Sequence, residues 1–200
     1  MDTATYLDRL LAKYAGSFDI TRDALVGGQL YPAYGYFFSQ GEKYVLTRKA
    51  NLWSVRAYEY VIFQTEGKLT EDIFRKDILE GAVRTLTEYI EPHYIRRDGK
   101  YPEKDHMVSY LTAVVICEGL REQGVEALLK KTRFDRGYLL SMRGHSELRV
   151  AVVDVSAGKV LTNPAGRQIR RMLKDAYDEA CAGARGYSEL YDKQNRTGSI

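Results

Sequence analysis

Residues Asp135 to Asn163 read DRGYLLSMRGHSELRVAVVDVSAGKVLTN, and the expected fold is built outward from this stretch. Gly137 to Met142 is strand-like, Arg143-Gly144-His145 carries turn signals, and Leu148 to Val155 is a short, apolar, β-branched run that suits a buried strand. Together they predict a long hairpin. Ser156-Ala157-Gly158 then offers turn residues before a third antiparallel strand at Lys159 to Thr162. Three strands cannot bury both of their faces, so other elements must cover them.

The chain upstream supplies those elements. Tyr6, Leu7, Leu10, Leu11 and Tyr14 fall at helical spacing, with Gly16 just past the end. Ser17 to Leu30 reads as irregular with a bend at Gly27-Gly28. Tyr34 to Ser39 and Lys43 to Thr47 read as a hairpin about Gln40-Gly41-Glu42, and Trp53 to Gln64 as a further strand. Thr70 is placed to cap a helix carrying Ile73, Phe74, Ile78, Ala82, Val83, Leu86 and Ile90, which Pro92 ends. A polar loop from His93 to Met107, a strand at Val108 to Cys117 and a helix at Arg121 to Thr132 lead into the opening stretch. Asn163-Pro164 then reads as cap and first residue of a last helix with Ile169, Met172, Leu173, Ala176 and Ala180 on one face.

This order predicts an α+β fold, a mainly antiparallel sheet built from hairpins and covered by about four helices. One domain is expected over residues 1–182, with a polar, flexible tail at 183–200. The segments 35–39 and 137–141, GYFFS and GYLLS, are alike, but the accompanying Glu-Gly pairs stand in the opposite order in the two halves, against a tandem repeat.

A net charge of +3 is too small to announce a nucleic-acid binder by itself. Two cysteines, Cys117 and Cys181, give neither a disulfide framework nor a cysteine zinc site. No signal-like or membrane-spanning apolar run is seen, so the expectation is a cytoplasmic protein with no membrane partner.

Most chemical motifs are missing. There is no glycine-rich nucleotide loop, and Gly144-His145-Ser146-Glu147-Leu148 lacks the second glycine of a nucleophile elbow. His93, His106 and His145 are not at metal-ligand spacing, so no metal or cofactor is expected. Glu66-Gly67-Lys68 and Asp98-Gly99-Lys100 have the acid-x-lysine form of some metal-dependent nucleases, a pattern that strand caps and solvated loops share.

Four polar clusters stand out. Arg48 and Lys49, with Asn51 and Trp53, could hold an anion beside a stacking ring. Glu103, Lys104, Asp105 and His106 precede a buried strand, from which Asp105 and His106 could reach over the sheet edge. Arg143, His145, Glu147 and Arg149 share one side if strand alternation holds, with the arginines as anion clamps and His145 as acid or base. Arg167, Arg170, Arg171 and Lys174 make a basic stripe opposite the apolar face of the last helix. Trp53 packed in the core with the cations in solvent accounts for the first equally simply, and a solvated loop, an exposed sheet face and a solvated helix face for the other three.

The segments PAYGYFFS (32–39), EKYVLTRKANLWS (42–54), KYPEKDHM (100–107), SYLT (109–112), RGHSELR (143–149) and VLTNPAG (160–166) resemble an uncharacterised family of bacterial proteins. The resemblance spans Tyr6 to Ala180, implies a small bacterial cytoplasmic protein, and carries no activity or site residues with it.

Two functions compete at this level. One is a binding protein, alone or as a homodimer, that presents a tyrosine-rich sheet face and a basic helix to nucleic acid or another anionic partner; sixteen tyrosines motivate it. The other is an enzyme for a phosphate-bearing or anionic substrate, which needs Arg143, His145 and Arg149 to converge with His106, or, in a further version, a metal-dependent nuclease using Glu66 and Lys68.

Overall fold

The first helix follows directly from its sequence. Asp2 accepts a 2.7 Å hydrogen bond from the Thr5 amide, and α1 then runs over Thr3–Tyr14 with Tyr6, Leu7, Leu10, Leu11 and Tyr14 all buried. Each such apolar side chain contributes about 2 kcal/mol by leaving water. The computed structural model describes the backbone of residues 1–44 and 51–197, and the side chains of 1–40, 56–121 and 124–182.

The strands that follow are β1 (Asp19–Val26), β2 (Gln29–Tyr44) and β3 (Asn51–Leu69). Gly27 and Gly28 have φ of 57° and 82°, and Val26 pairs with Gln29 across them. A two-residue turn with positive φ at both positions matches the twist of the strands it joins, so residues expected to be irregular form a hairpin arm. β2 also runs unbroken through Gln40-Gly41-Glu42, where a turn was expected, and pairs with β3 from Ala33↔Phe63 to Tyr44↔Asn51. Gln40-Gly41-Glu42 is therefore part of the strand and not a turn.

Helix α2 starts at Glu71–Ile73, with Thr70 Oγ1 accepting from the Ile73 amide at 3.3 Å. It continues in a wider i→i+5 winding through Phe74–Val83 and Thr85–Ile95. Its buried apolar residues Phe74, Ile78, Ala82, Leu86, Ile90 and Ile95 recur every four residues and finally five. That interval exceeds the 3.6 residues of an α turn, and the wider winding keeps the stripe against the sheet. Pro92 does not end the helix, which carries His93 and Tyr94 and closes when the Arg96 amide bonds to the Glu91 carbonyl at 3.1 Å. The following loop is correspondingly shorter than expected.

The remaining elements are β4 (His106–Leu120), α3 (Glu122–Lys131), β5 (Asp135–Gly137), β6 (His145–Asp154), β7 (Lys159–Thr162) and α4 (Arg167–Thr197). The seven strands form one mixed sheet in the order β1-β2-β3-β4-β6-β5, with β7 also on β6. The α+β class holds and most pairs are antiparallel, but β3, β4 and β6 at the centre run parallel. A parallel pair needs a long crossover, and α2 and α3 provide one each. Pairing between strands on either side of a helix is what a hairpin-based reading missed.

The opening stretch is corrected in the same way. Only Asp135–Gly137 pairs as β5; beyond it Leu139, Leu140 and Ser141 have φ of 50°, 54° and 64°, a left-handed turn where a strand was expected. The Tyr138 side chain is buried in the polar network beneath, which anchors the start of that turn.

Both faces of the sheet are covered. α2 and α3 pack on Tyr60, Ile62, Leu111, Ala113, Val115, Leu148, Val150 and Val152. α1 and α4 pack on Val61, Phe63, Val114, Ile116, Ala151 and Val153. β4, covered on both sides, reads accordingly as a continuous apolar run.

Asn163 is fully buried and closes a sheet edge, where a cap directly before α4 was expected. β5 occupies the outer edge of β6 at 145–147 and β7 occupies it at 151–154, leaving a gap between them. The Asn163 side chain fills that gap. Its Oδ1 accepts from the Val150 amide at 2.9 Å and the Gly166 amide at 2.8 Å, while its Nδ2 donates to the Leu148 carbonyl at 2.9 Å and the Thr132 carbonyl at 3.1 Å. The amide stands in for a strand peptide, and the helix proper begins later, at Arg167.

A tyrosine cleft as candidate functional site

Strand alternation places Tyr34 and Tyr36 of β2 and Tyr58 and Tyr60 of β3 on the face that α2 covers. Tyr36 lies directly opposite Tyr60, with ring centroids 5.2 Å apart, and Phe38 opposite Tyr58 at 5.1 Å. α2 reaches as far as Tyr60 and then ends, so the rings beyond it face an opening. His93, Tyr94 and Ile95 from the end of α2, Arg97, Pro102 and Glu103 from the loop, and His106 from β4 complete a cleft of about 460 Å³.

His106 reaches this cleft through an irregularity. Arg56 pairs with His106 but Ala57 pairs with Val108, so Met107 is an extra residue in β4. The bulge turns His106 onto the same face as Ser109, while Met107 is exposed. Gly144 makes this possible: its φ is 73°, and a Cβ there would stand 2.0 Å from the Met107 carbonyl oxygen. Only glycine allows that approach.

The His106 imidazole is held on all sides. Nδ1 donates to the Arg143 carbonyl at 2.8 Å, which fixes the tautomer because a carbonyl only accepts, and Nε2 accepts from Ser109 Oγ at 2.8 Å. The ring lies parallel to Tyr58 at 6.0 Å and meets the Tyr138 ring edge-on at 5.5 Å. Burial holds its pKa below the usual histidine value, with the neighbouring His145 adding to that shift and the Arg143 carbonyl opposing it. Burial likewise raises the phenol pKa values of Tyr34, Tyr36 and Tyr60, so these hydroxyls stay neutral.

Charge at the cleft centres on Glu103, which binds Arg56 through one oxygen and Arg97 through the other. His93 pairs with Asp98. Behind this wall Glu91, fully buried, accepts from Arg96 Nε at 2.9 Å, an Arg136 guanidinium nitrogen at 2.7 Å and the Tyr138 hydroxyl at 2.7 Å. The Tyr138 hydroxyl also contacts Ser146 Oγ at 2.6 Å. This network ties the end of α2 to β5 and β6.

The residues singled out from sequence do not converge. By alternation with Ala151 and Val153, His145, Glu147 and Arg149 face α1 and α4, on the opposite side of the sheet from His106. There Arg149 lies over the Tyr110 ring at 3.3 Å, donates to Gln168 at 2.6 Å and stands 3.7 Å from Glu59, whose pKa burial raises. Arg143 belongs to the turn, donates to the Pro102 carbonyl at 3.0 Å and lies 5.8 Å from the Tyr101 ring centre. Asp105 is exposed, and its backbone carbonyl binds the Arg56 amide.

Arg48 and Lys49 lie outside the described residues, as does the side chain of Trp53. On α4, Arg167, Arg170 and Arg171 are exposed; Arg171 stands 3.8 Å from Asp175 and Lys174 pairs with Asp178, one turn on in each case. Glu66 accepts from Gln64 at 2.8 Å, and no group of three potential metal ligands occurs among the described residues. No helix of the described residues is long and apolar enough to cross a membrane.

The cleft residues that sequence reading passed over are the five tyrosines, as individuals, and Arg97. Their signal was present as Tyr-x-Tyr at 34–36 and 58–60, a period-two repeat in two strands that pair.

Neither the curated proteins nor the solved structures contain a match to this chain. The model of the family described as Domain of unknown function (DUF8052) matches residues 2–175, and the chain belongs to that family.

Proposed function

We propose that this protein is a binding protein whose tyrosine cleft holds a small ligand with a planar ring system. The observation that carries this reading is the convergence of Tyr34, Tyr36, Tyr58, Tyr60 and Tyr94 on one cleft of about 460 Å³. Small-molecule sites are typically concave, largely apolar and about 300–1,000 Å³. Tyrosine offers a flat apolar surface with a hydroxyl that both donates and accepts, and so suits rings bearing polar substituents.

Binding fits the cleft better than catalysis. Both nitrogens of the buried His106 are engaged, by the Arg143 carbonyl and Ser109 Oγ, which leaves no free ring nitrogen facing a substrate proton. A mononucleotide falls within the ligand class. An extended nucleic acid reading the tyrosines and the α4 stripe together does not, because they lie on opposite faces. We also propose a bacterial cytoplasmic setting, in which Cys117 and Cys181 stay reduced.

The test is calorimetric titration with naphthalene-2-carboxamide, a neutral bicyclic probe, against wild type, Tyr36→Ala and Tyr94→Ala. Loss of one stacking ring costs about 1–3 kcal/mol, so each variant should bind roughly 5- to 150-fold more weakly. Unchanged affinity in both variants would place the probe elsewhere and overturn the proposal.

A further inference from the structure

Resting on that reading of the cleft, we propose that its ligands are planar aromatic anions, and that Arg97 reads the anionic group while Glu103 holds the same seat in the unliganded protein. Arg97 and Arg56 share the single carboxylate of Glu103, one oxygen each, so neither guanidinium is held by it bidentately. Of the two arginines, Arg97 lines the cleft and its side chain is 66% exposed, against 28% for Arg56. An ion pair so exposed is weak, and exchanging one carboxylate for another on Arg97 costs little. The guanidinium is also within electrostatic reach of the Tyr36 and Tyr60 hydroxyls, and all three residues line the same cleft.

The backbone is built to keep the arm there. Arg97 and Asp98 have φ of 49° and 59°, consecutive left-handed residues without a glycine. Each such residue is disfavoured, and such strain concentrates at ligand clamps where surrounding bonds enforce it. Here the enforcing bonds are those from the Asp98 amide to the Pro92 carbonyl at 2.9 Å, from the Gly99 amide to the Arg96 carbonyl at 2.9 Å, and from the Arg96 guanidinium to the Gly99 carbonyl at 2.7 Å. Arg96 is itself anchored on buried Glu91. Of the two histidines that line the cleft, His93 is paired with Asp98 and His106 is engaged at both ring nitrogens. A carboxylate or phosphate on the ligand therefore meets Arg97, which presents paired donors to such groups.

The experiment compares naphthalene-2-carboxylate with naphthalene-2-carboxamide, two probes of one shape and different charge, on wild type, Arg97→Gln and Glu103→Gln. Wild type should prefer the carboxylate by roughly tenfold or more, as expected for a charge-assisted hydrogen bond. Arg97→Gln should abolish the preference, and Glu103→Gln should bind the carboxylate several-fold more tightly. Equal affinity of wild type for both probes, or a preference that survives Arg97→Gln, overturns the inference and leaves the cleft reading intact. Binding of neither probe overturns both.

Discussion

Replacing Asn163 with alanine should unravel the outer edge of β6. The substitution removes one acceptor shared by two amides and one donor group shared by two carbonyls, all at a position with no solvent exposure. Each hydrogen bond contributes about 1 kcal/mol net, and a buried group left without a partner costs about 1–3 kcal/mol. Water entering the space vacated by the amide would recover part of this, so the expected loss is roughly 3–5 kcal/mol, a large share of the 5–15 kcal/mol typical of a folded domain. At this chain length it corresponds to a fall in Tm of about 6–20 °C.

Urea denaturation followed by circular dichroism measures the loss, and amide hydrogen exchange locates it, because the Val150 amide should lose its protection ahead of the central strands. Asn163→Asp sharpens the test. It keeps the shape and the two accepted bonds but turns an oxygen toward the Leu148 and Thr132 carbonyls, and should destabilise about as much as alanine at neutral pH. A loss below about 1 kcal/mol in both variants would refute the view that this amide completes the sheet edge.

Gly144→Ala should cost more than about 2 kcal/mol, since its Cβ would meet the Met107 carbonyl at 2.0 Å on a backbone with positive φ. Thermal denaturation of that variant checks it, with a shift in the His106 ring resonances as the local sign. Glu91→Ala should cost roughly 3–5 kcal/mol by leaving Arg96 and Arg136 without their buried carboxylate, against less than about 1.5 kcal/mol for the half-exposed Arg136→Ala. Comparable losses in the two variants would contradict the central place given to Glu91. His106 has a depressed pKa in the folded protein, so the unfolded chain takes up its proton first. Stability should therefore fall as pH drops from about 6.5 towards the lower folded value, and a His106→Phe variant should lack that component in urea midpoints measured between pH 7.5 and pH 5.

The local sequence was enough wherever a few neighbouring residues settle the outcome. The Tyr6, Leu7, Leu10, Leu11, Tyr14 stripe specified α1 because a helix face repeats within a single turn, and Thr70 marked the start of α2 because a cap bonds only three residues ahead. The alternation of β6 was also legible, as was the tyrosine-rich character of a sheet face. What only the tertiary structure decided involves partners far apart in the chain. β3, β4 and β6 run parallel because α2 and α3 carry the chain back across the sheet, and no short-range pattern records which strand lies beside which. His106 faces the cleft because one extra residue at Met107 reverses the alternation, and that bulge is sustained by Gly144, a neighbour only in space. Asn163 looked like an ordinary helix cap, since the four groups its side chain satisfies, on Thr132, Leu148, Val150 and Gly166, come together only once the strands have paired.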